Sequence, residues 1–214
     1  MPINQQCAWR KTGACGFAAD IAAALRLLIT GAVGRPSIHV EPSGTVAIAR
    51  HYMRDLIYGA NDGIITTFAV VAGVTGGALS HATILVVGAA NLAADGLSMA
   101  VGNFLSIRAH ESAREAENLP EEEAHAWKHA IATFAAFVVA GALPLLPFAL
   151  APRATDLFVW SSVLTMAALF GVGAIRTLVT VDRWWKAGGE MLLLGALVAA
   201  AAYFSGAFVA HVLS

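Results

Sequence analysis

Residues 58–67 read Tyr-Gly-Ala-Asn-Asp-Gly-Ile-Ile-Thr-Thr, and residues 91–99 read Asn-Leu-Ala-Ala-Asp-Gly-Leu-Ser-Met. Each places one aspartate, Asp62 or Asp95, inside an otherwise uncharged stretch long enough to cross a membrane. An aspartate near the bilayer centre costs about 2.5–3.5 kcal/mol on insertion scales, so it is rarely there without a task. The pair points to a conduit for a cation rather than a passive anchor.

Working outward, five stretches can span: 56–79, 82–107, 130–152, 157–175 and 191–214. Each has about the 20 residues that a helix needs to cross ~30 Å of hydrocarbon. None alternates in the manner of a barrel strand, so the fold class is an all-α integral membrane protein with five transmembrane helices. Composition agrees: 13% of the residues are charged, against ~25% in a soluble domain. The net charge of −1 matters less than its distribution. With a cytoplasmic N-terminus, twelve of the thirteen Lys and Arg residues fall inside and only Arg153 falls outside. That bias predicts an extracytoplasmic C-terminus.

Residues 1–49 form an N-terminal extension to the transporter-like domain at 50–214. Within it, 17–33 is apolar but short, and Asp20 and Arg26 interrupt it. Three readings stay open: a poor signal peptide behind Arg10 and Lys11, an amphipathic surface helix, or a partly disordered extension. Pro36, Pro42, Ser43 and Gly44 read as a linker, and a helical pattern resumes near 46. Cys7 and Cys15 match no zinc or redox spacing.

The polar loop 108–129 has six glutamates against three Lys and Arg. Pro120 followed by Glu121, Glu122 and Glu123 predicts a helix start that runs into the third span. Glu121, His125 and His129 would then share one face, a spacing that can hold a metal. The plainer reading is an acidic helix start with interfacial histidines. Glu121, Glu122 and His125 remain candidates for gathering cations at the cytoplasmic mouth.

On the first span Asp55, Tyr58, Gly59, Asp62 and Thr66 fall on one face. On the second, Asn91, Asp95, Ser98, Gly102 and Ser106 make a similar stripe, with Met99 and Asn103 beside it. Two such stripes on antiparallel helices can enclose a path. Counted from the expected cytoplasmic edges at ~1.5 Å per residue, Asp62 lies ~9 Å deep, Met99 ~12 Å and Asp95 ~20 Å. A carboxylate level with a thioether suits Fe²⁺ and its neighbours better than Mg²⁺ or Ca²⁺. The competing reading makes Met99 ordinary packing and gives both acids structural hydrogen bonds to Asn91, Thr66 or Ser98. Gly59/Gly63 and Gly73/Gly77 read as close helix contacts. The chain has no phosphate-binding glycine loop, nucleophile–base arrangement or zinc-protease motif, so no enzyme is indicated. Nor does it have the basic stripe that nucleic acid needs.

These residues resemble the vacuolar iron transporter family. The likeness lies in Arg54-Asp55, Tyr58-Gly59, Asn61-Asp62-Gly63-Ile64, Val70-Val71-Ala72-Gly73-Val74 and Ser98-Met99-Ala100 with Gly102. It covers roughly 50–214 and leaves 1–49 unmatched. It implies a homodimer with a path between the first helices of two protomers. The cargo would be Fe²⁺, often also Mn²⁺, leaving the cytosol in exchange for protons, with no resident cofactor. Asp62 and Met99 fall on the family's path-lining aspartate and methionine, and Asp55 stands in the same motif. Asn103 stands where the family often has glutamate, and Asp95 where many members are uncharged. Only residues 108–129 stand in place of a long cytoplasmic metal-binding domain, which resembles the short-loop branch. The membrane would be the plasma or inner membrane in a bacterium, or a vacuolar or other organelle membrane in a eukaryote. The alternative function is a membrane scaffold or regulatory subunit whose acids serve packing.

The charge bias yields a direct test. In a background lacking Cys7 and Cys15, Glu115→Cys should resist a membrane-impermeant maleimide applied outside intact cells. Labelling from outside would reverse the topology.

Overall fold

The computed structural model describes residues 37–39, 43–150, 156–178 and 183–213. The 17–33 stretch and both cysteines lie outside them. The helices are α1 (Thr45–Gly76), α2 (His81–Ala116), α3 (Ala126–Gly141), α4 (Leu146–Leu150), α5 (Leu157–Arg176) and α6 (Trp184–Leu213). A single 3-10 turn, Leu143–Leu145, joins α3 to α4. Among the described residues, five segments are long and apolar enough to cross a membrane: Arg50–Gly76, His81–Ala116, Ala126–Leu150, Leu157–Arg176 and Trp184–Leu213. The all-α, five-span expectation therefore holds.

The chain divides into two units, one formed by 40–110 with 125–214 and the other by 1–39 with 111–124. In the larger, α1 is central and packs on α3, α6 and α5, while α5 also packs on α6. Lipid removes the usual hydrophobic drive between helices, so small residues that let backbones approach must supply the contact. A Cβ on Gly59 would collide with the Thr133 carbonyl, and one on Gly63 with the Phe137 carbonyl. Further along α1, Gly76 meets the backbone of Tyr203, and Gly206 of α6 meets that of Gly73. The glycine pairs read from sequence thus face two different helices. Phe68, Val71, Ile84, Leu145, Phe148 and Leu157 close one part of the core, and Ile64, Leu169 and Met191 another.

The third span is broken rather than continuous. Pro144 is the middle residue of the 3-10 turn that follows α3. A carbonyl released inside an apolar layer needs a donor, and Ser161 of α5 donates its hydroxyl to the Pro144 carbonyl at 2.7 Å.

The smaller unit corrects the expected helix start. No helix begins at Pro120; α3 begins at Ala126, with His125 as its N-cap residue. The reason lies upstream. Glu111, buried at the end of α2, accepts the backbone N–H groups of Glu122 and Glu123 at 3.2 and 2.9 Å. Arg114 donates to the Pro120 carbonyl at 3.0 Å and pairs with Glu122 at 3.0 Å. Groups that would open a helix are already committed to α2. Glu121 forms an isolated bridge with Ser37, and its carbonyl accepts the Ile38 N–H at 2.9 Å.

The glycine contacts predict a contrast. Gly63→Ala should destabilise the protein in detergent by on the order of 1–3 kcal/mol, because backbone on both sides must move. Gly171→Ala, whose Cβ meets nothing within 4 Å, should be neutral or slightly stabilising. Equal melting temperatures for the two variants would remove the α1–α3 contact from this account.

Candidate functional site

A hydrogen bond sets the register between α1 and α2. Asn103 on α2 donates its Nδ2–H to Asp55 Oδ1 on α1 at 2.9 Å. Counting along each helix from that link, Asp62 is seven residues away, ~10.5 Å, and Asp95 is eight away, ~12 Å. The two acids are therefore level. Met99, four residues from Asn103, is only ~6 Å along and lies about a turn nearer the loop end. This count differs from the expectation that Asp62 pairs with Met99 at one depth and Asp95 lies deeper. Counting from assumed membrane edges fixes no register between helices, whereas the tight turn at 77–80 and the Asn103–Asp55 bond do.

Asp62, Asp95 and Met99 are all half-buried. Asp95 is near enough for its charge to act on Asp62. Among the described residues, neither carboxylate accepts a hydrogen bond or joins an ion pair. The Thr66 hydroxyl, a possible structural partner, donates instead to the backbone carbonyl of Asp62 at 2.8 Å. Beside each acid is an amide with an unused polar atom: Asn61 Oδ1 and Asn91 Nδ2 are buried without a partner. Ser98, Gly102 and Ser106, on the α2 stripe, are exposed.

Asp55 has a different environment. It is 3% exposed, as is His129 of α3. His129 donates from Nδ1 to Asp55 Oδ2 at 2.6 Å. Asn103 also donates to Thr133 Oγ1 at 2.8 Å, and the Thr133 hydroxyl donates to the His129 carbonyl at 2.9 Å. The His51 and Tyr52 rings pack on the His129 ring at 5.0 and 4.8 Å. Both oxygens of Asp55 are thus engaged inside the protein, and α1, α2 and α3 meet in one polar knot. Asp55 and Asn103, read from sequence as candidate ligands, are brought together as partners of one another.

Sequence reasoning grouped His129 with Glu121 and His125 on one helical face and did not place it against Asp55. The usable signal was spacing. His129, Thr133, Phe137 and Gly141 recur every four residues and form the buried face of α3. Of the loop candidates, Glu122 is neutralised by Arg114. With α3 starting at Ala126, Glu121 and His125 do not share a helical face with His129.

Fold and site together define a five-span integral membrane protein with two unpartnered carboxylates level within its first two spans. The VIT family model matches residues 53–124 and 110–207, and the chain belongs to that family. It is 27% identical to vacuolar iron transporter 1 of Arabidopsis thaliana over 240 aligned residues, covering 81% of this chain and 96% of the relative. It is 27% identical to vacuolar iron transporter 2 of Oryza sativa subsp. japonica, over 72% of this chain and 86% of the relative. A shorter match to a vacuolar iron transporter of Toxoplasma gondii is 42% identical over 81 residues, 34% of this chain and 27% of the relative.

The polar knot generates a stability prediction. Removing one partner from a buried pair leaves the other uncompensated, at a cost of about 3–5 kcal/mol. Asp55→Asn and His129→Ala should each lower the melting temperature, and the double variant should cost less than their sum. Strictly additive losses would mean the two side chains are not coupled.

Proposed function

We propose that this chain is a metal-ion transporter that moves Fe²⁺ or Mn²⁺ out of the cytosol in exchange for protons. It would work as a homodimer with a cytoplasmic N-terminus. The observation that carries the reading is the level pair Asp62 and Asp95, half-buried and bonded to nothing among the described residues. Two carboxylates at one depth repel each other when both are ionised, and either a divalent cation or protons relieves that repulsion. Occupancy by metal and by protons is then mutually exclusive, as exchange requires. Met99, about a turn nearer the loop end, offers a thioether that favours a borderline metal over a hard one.

The surface of the single chain supports the dimer. Tyr58 is 60% exposed, and Ser98, Gly102 and Ser106 are open beside it in sequence register. Polar side chains facing lipid are costly, and a second copy laid along α1 would enclose them with the acids as a path. The vacuolar iron transporters among the relatives carry the choice of iron over to this chain. The scaffold reading fares worse, because structural acids should be bonded in the way Asp55 is.

The test is flux into proteoliposomes under an imposed pH gradient. Asp62→Asn keeps the shape and removes charge, and should cut Fe²⁺ flux by roughly tenfold or more, the effect of losing about 1.4 kcal/mol of cation stabilisation. Asp95→Asn should leave some downhill metal flux that no longer moves lumenal pH. Wild-type flux from a well-folded Asp62→Asn protein would remove Asp62 from the metal path, and flux no greater than in protein-free liposomes from the wild type would favour the scaffold.

A further inference from the structure

A cavity of about 420 Å³ lies at one end of the larger unit, where the last turn of α1 and the first turn of α2 meet α4 and the start of α5. Its apolar wall is the end of the core, with Ile84, Phe148 and Leu157. Its polar side chains are Thr75, His81 and Asp156. Arg153, the cation that the sequence places at this end, lies outside the described residues.

Both ionisable groups are free of helix-capping duty. A polar residue before a helix ordinarily caps it by accepting an N–H of the first turn. At α2 Ser80 does this, accepting the Thr83 N–H at 3.2 Å, and His81 follows it. At α5 Asp156 holds the N-cap place but makes no capping bond. Its backbone is left-handed, with φ at 63°, where a capping residue is extended. His81 and Asp156 are exposed, and neither has a hydrogen bond or an ion pair among the described residues. The His81 ring stands edge-on to Phe148 at 5.6 Å. Thr75 gives its hydroxyl hydrogen to the Val71 carbonyl at 2.7 Å, so its oxygen is left as an acceptor.

The cavity is off the face assigned to the second copy. At ~100° per residue, Thr75 stands about 100° around α1 from Tyr58, and His81 stands about 100° around α2 from Ser98. Thr75 instead continues the face of Phe68 and Val71, which packs on Ile84, Phe148 and Leu157.

We infer that this cavity is a second cation site, which takes a hydrated Fe²⁺ or Mn²⁺ between the His81 imidazole and the Asp156 carboxylate. An imidazole nitrogen with one carboxylate suits the same borderline metals as the path. Two protein ligands leave the other positions of the ion to water, at about 30 Å³ for each water, and the cavity has room for them. The Thr75 oxygen accepts from one such water. The positive ends of α2 and α5 weaken the hold on a cation without cancelling a full carboxylate charge. Loose binding suits an ion on its way out, since a tight site would retain it. The role in release rests on the transport reading; the binding of metal does not.

The test uses the whole chain in detergent with Mn²⁺ alone, in a D62N/D95N background that removes the path acids. Pulsed electron paramagnetic resonance should show an imidazole nitrogen coupled to bound Mn²⁺. H81Q should remove that coupling, and D156N should weaken Mn²⁺ binding by roughly tenfold or more. Coupling that survives H81Q, or an affinity that D156N leaves unchanged, overturns the site. On unsubstituted protein, Fe²⁺ with hydrogen peroxide should oxidise His81 or Phe148, read by peptide mass spectrometry, and excess Mn²⁺ should protect them. That arm keeps the test decisive if the background fails to fold, and oxidation only elsewhere overturns the site. In proteoliposomes H81Q/D156N should lower the maximal rate of Mn²⁺ uptake several-fold, and an unchanged rate overturns the role in release. A wild type that binds Mn²⁺ at His81 but moves none would end the transport reading and leave the site standing.

Discussion

The backbone of α3 rests directly on α1 because Gly59 and Gly63 have no side chains, and the arrangement of the site follows from that contact. Successive helical residues point about 100° apart. With Gly63 pressed against Phe137, Asp62 is turned off the α3 interface toward the more open side of α1. With Gly59 pressed against Thr133, Tyr58 is turned outward and Asp55 sits within reach of His129. One stripe of missing side chains both joins two spans and aims the acids. A methyl group there would disturb the packing and the chemistry together.

The first two spans contain two kinds of acid, which differ in how their desolvation is met. Asp55 is fully enclosed and satisfied by His129 and Asn103, so its burial is offset by specific bonds. Asp62 and Asp95 are only half-enclosed and have no such partners. A bonded acid holds helices in place, whereas an unbonded one retains the capacity to bind something that comes and goes. The distinction rests on partners rather than on residue type or depth.

How much of this was legible in the sequence follows from the range of the interactions involved. The five spans and the glycine contacts were legible because hydropathy and small-residue spacing are local patterns. The depth match of Asp62 with Asp95 was not, because it depends on a turn and on a bond between residues 48 positions apart. The start of α3 was misplaced because Pro120 and three glutamates make a sound local signal, which Glu111 and Arg114 override from the preceding helix. His129 escaped because its partner is on another span, and a histidine at the edge of a loop looks ordinary until that span is beside it. The N-terminal 36 residues lie outside the described structure. The Arabidopsis match runs over 240 aligned positions yet takes up 81% of this chain, so that relative has residues in the matched region that this chain lacks.

The bond from Ser161 to the Pro144 carbonyl has a consequence for biogenesis. Residue 161 follows the third span in the chain and reaches the membrane after it. Until α5 arrives, the Pro144 carbonyl lacks the Ser161 hydroxyl that bonds it, which disfavours settling that span into lipid alone. Spans three and four are thereby matched as a pair for membrane integration: the earlier one is completed by a hydroxyl that only the later one brings. A chain cut off between them would be left with an incomplete helix at the translocon, a natural point for quality control to recognise an unfinished product.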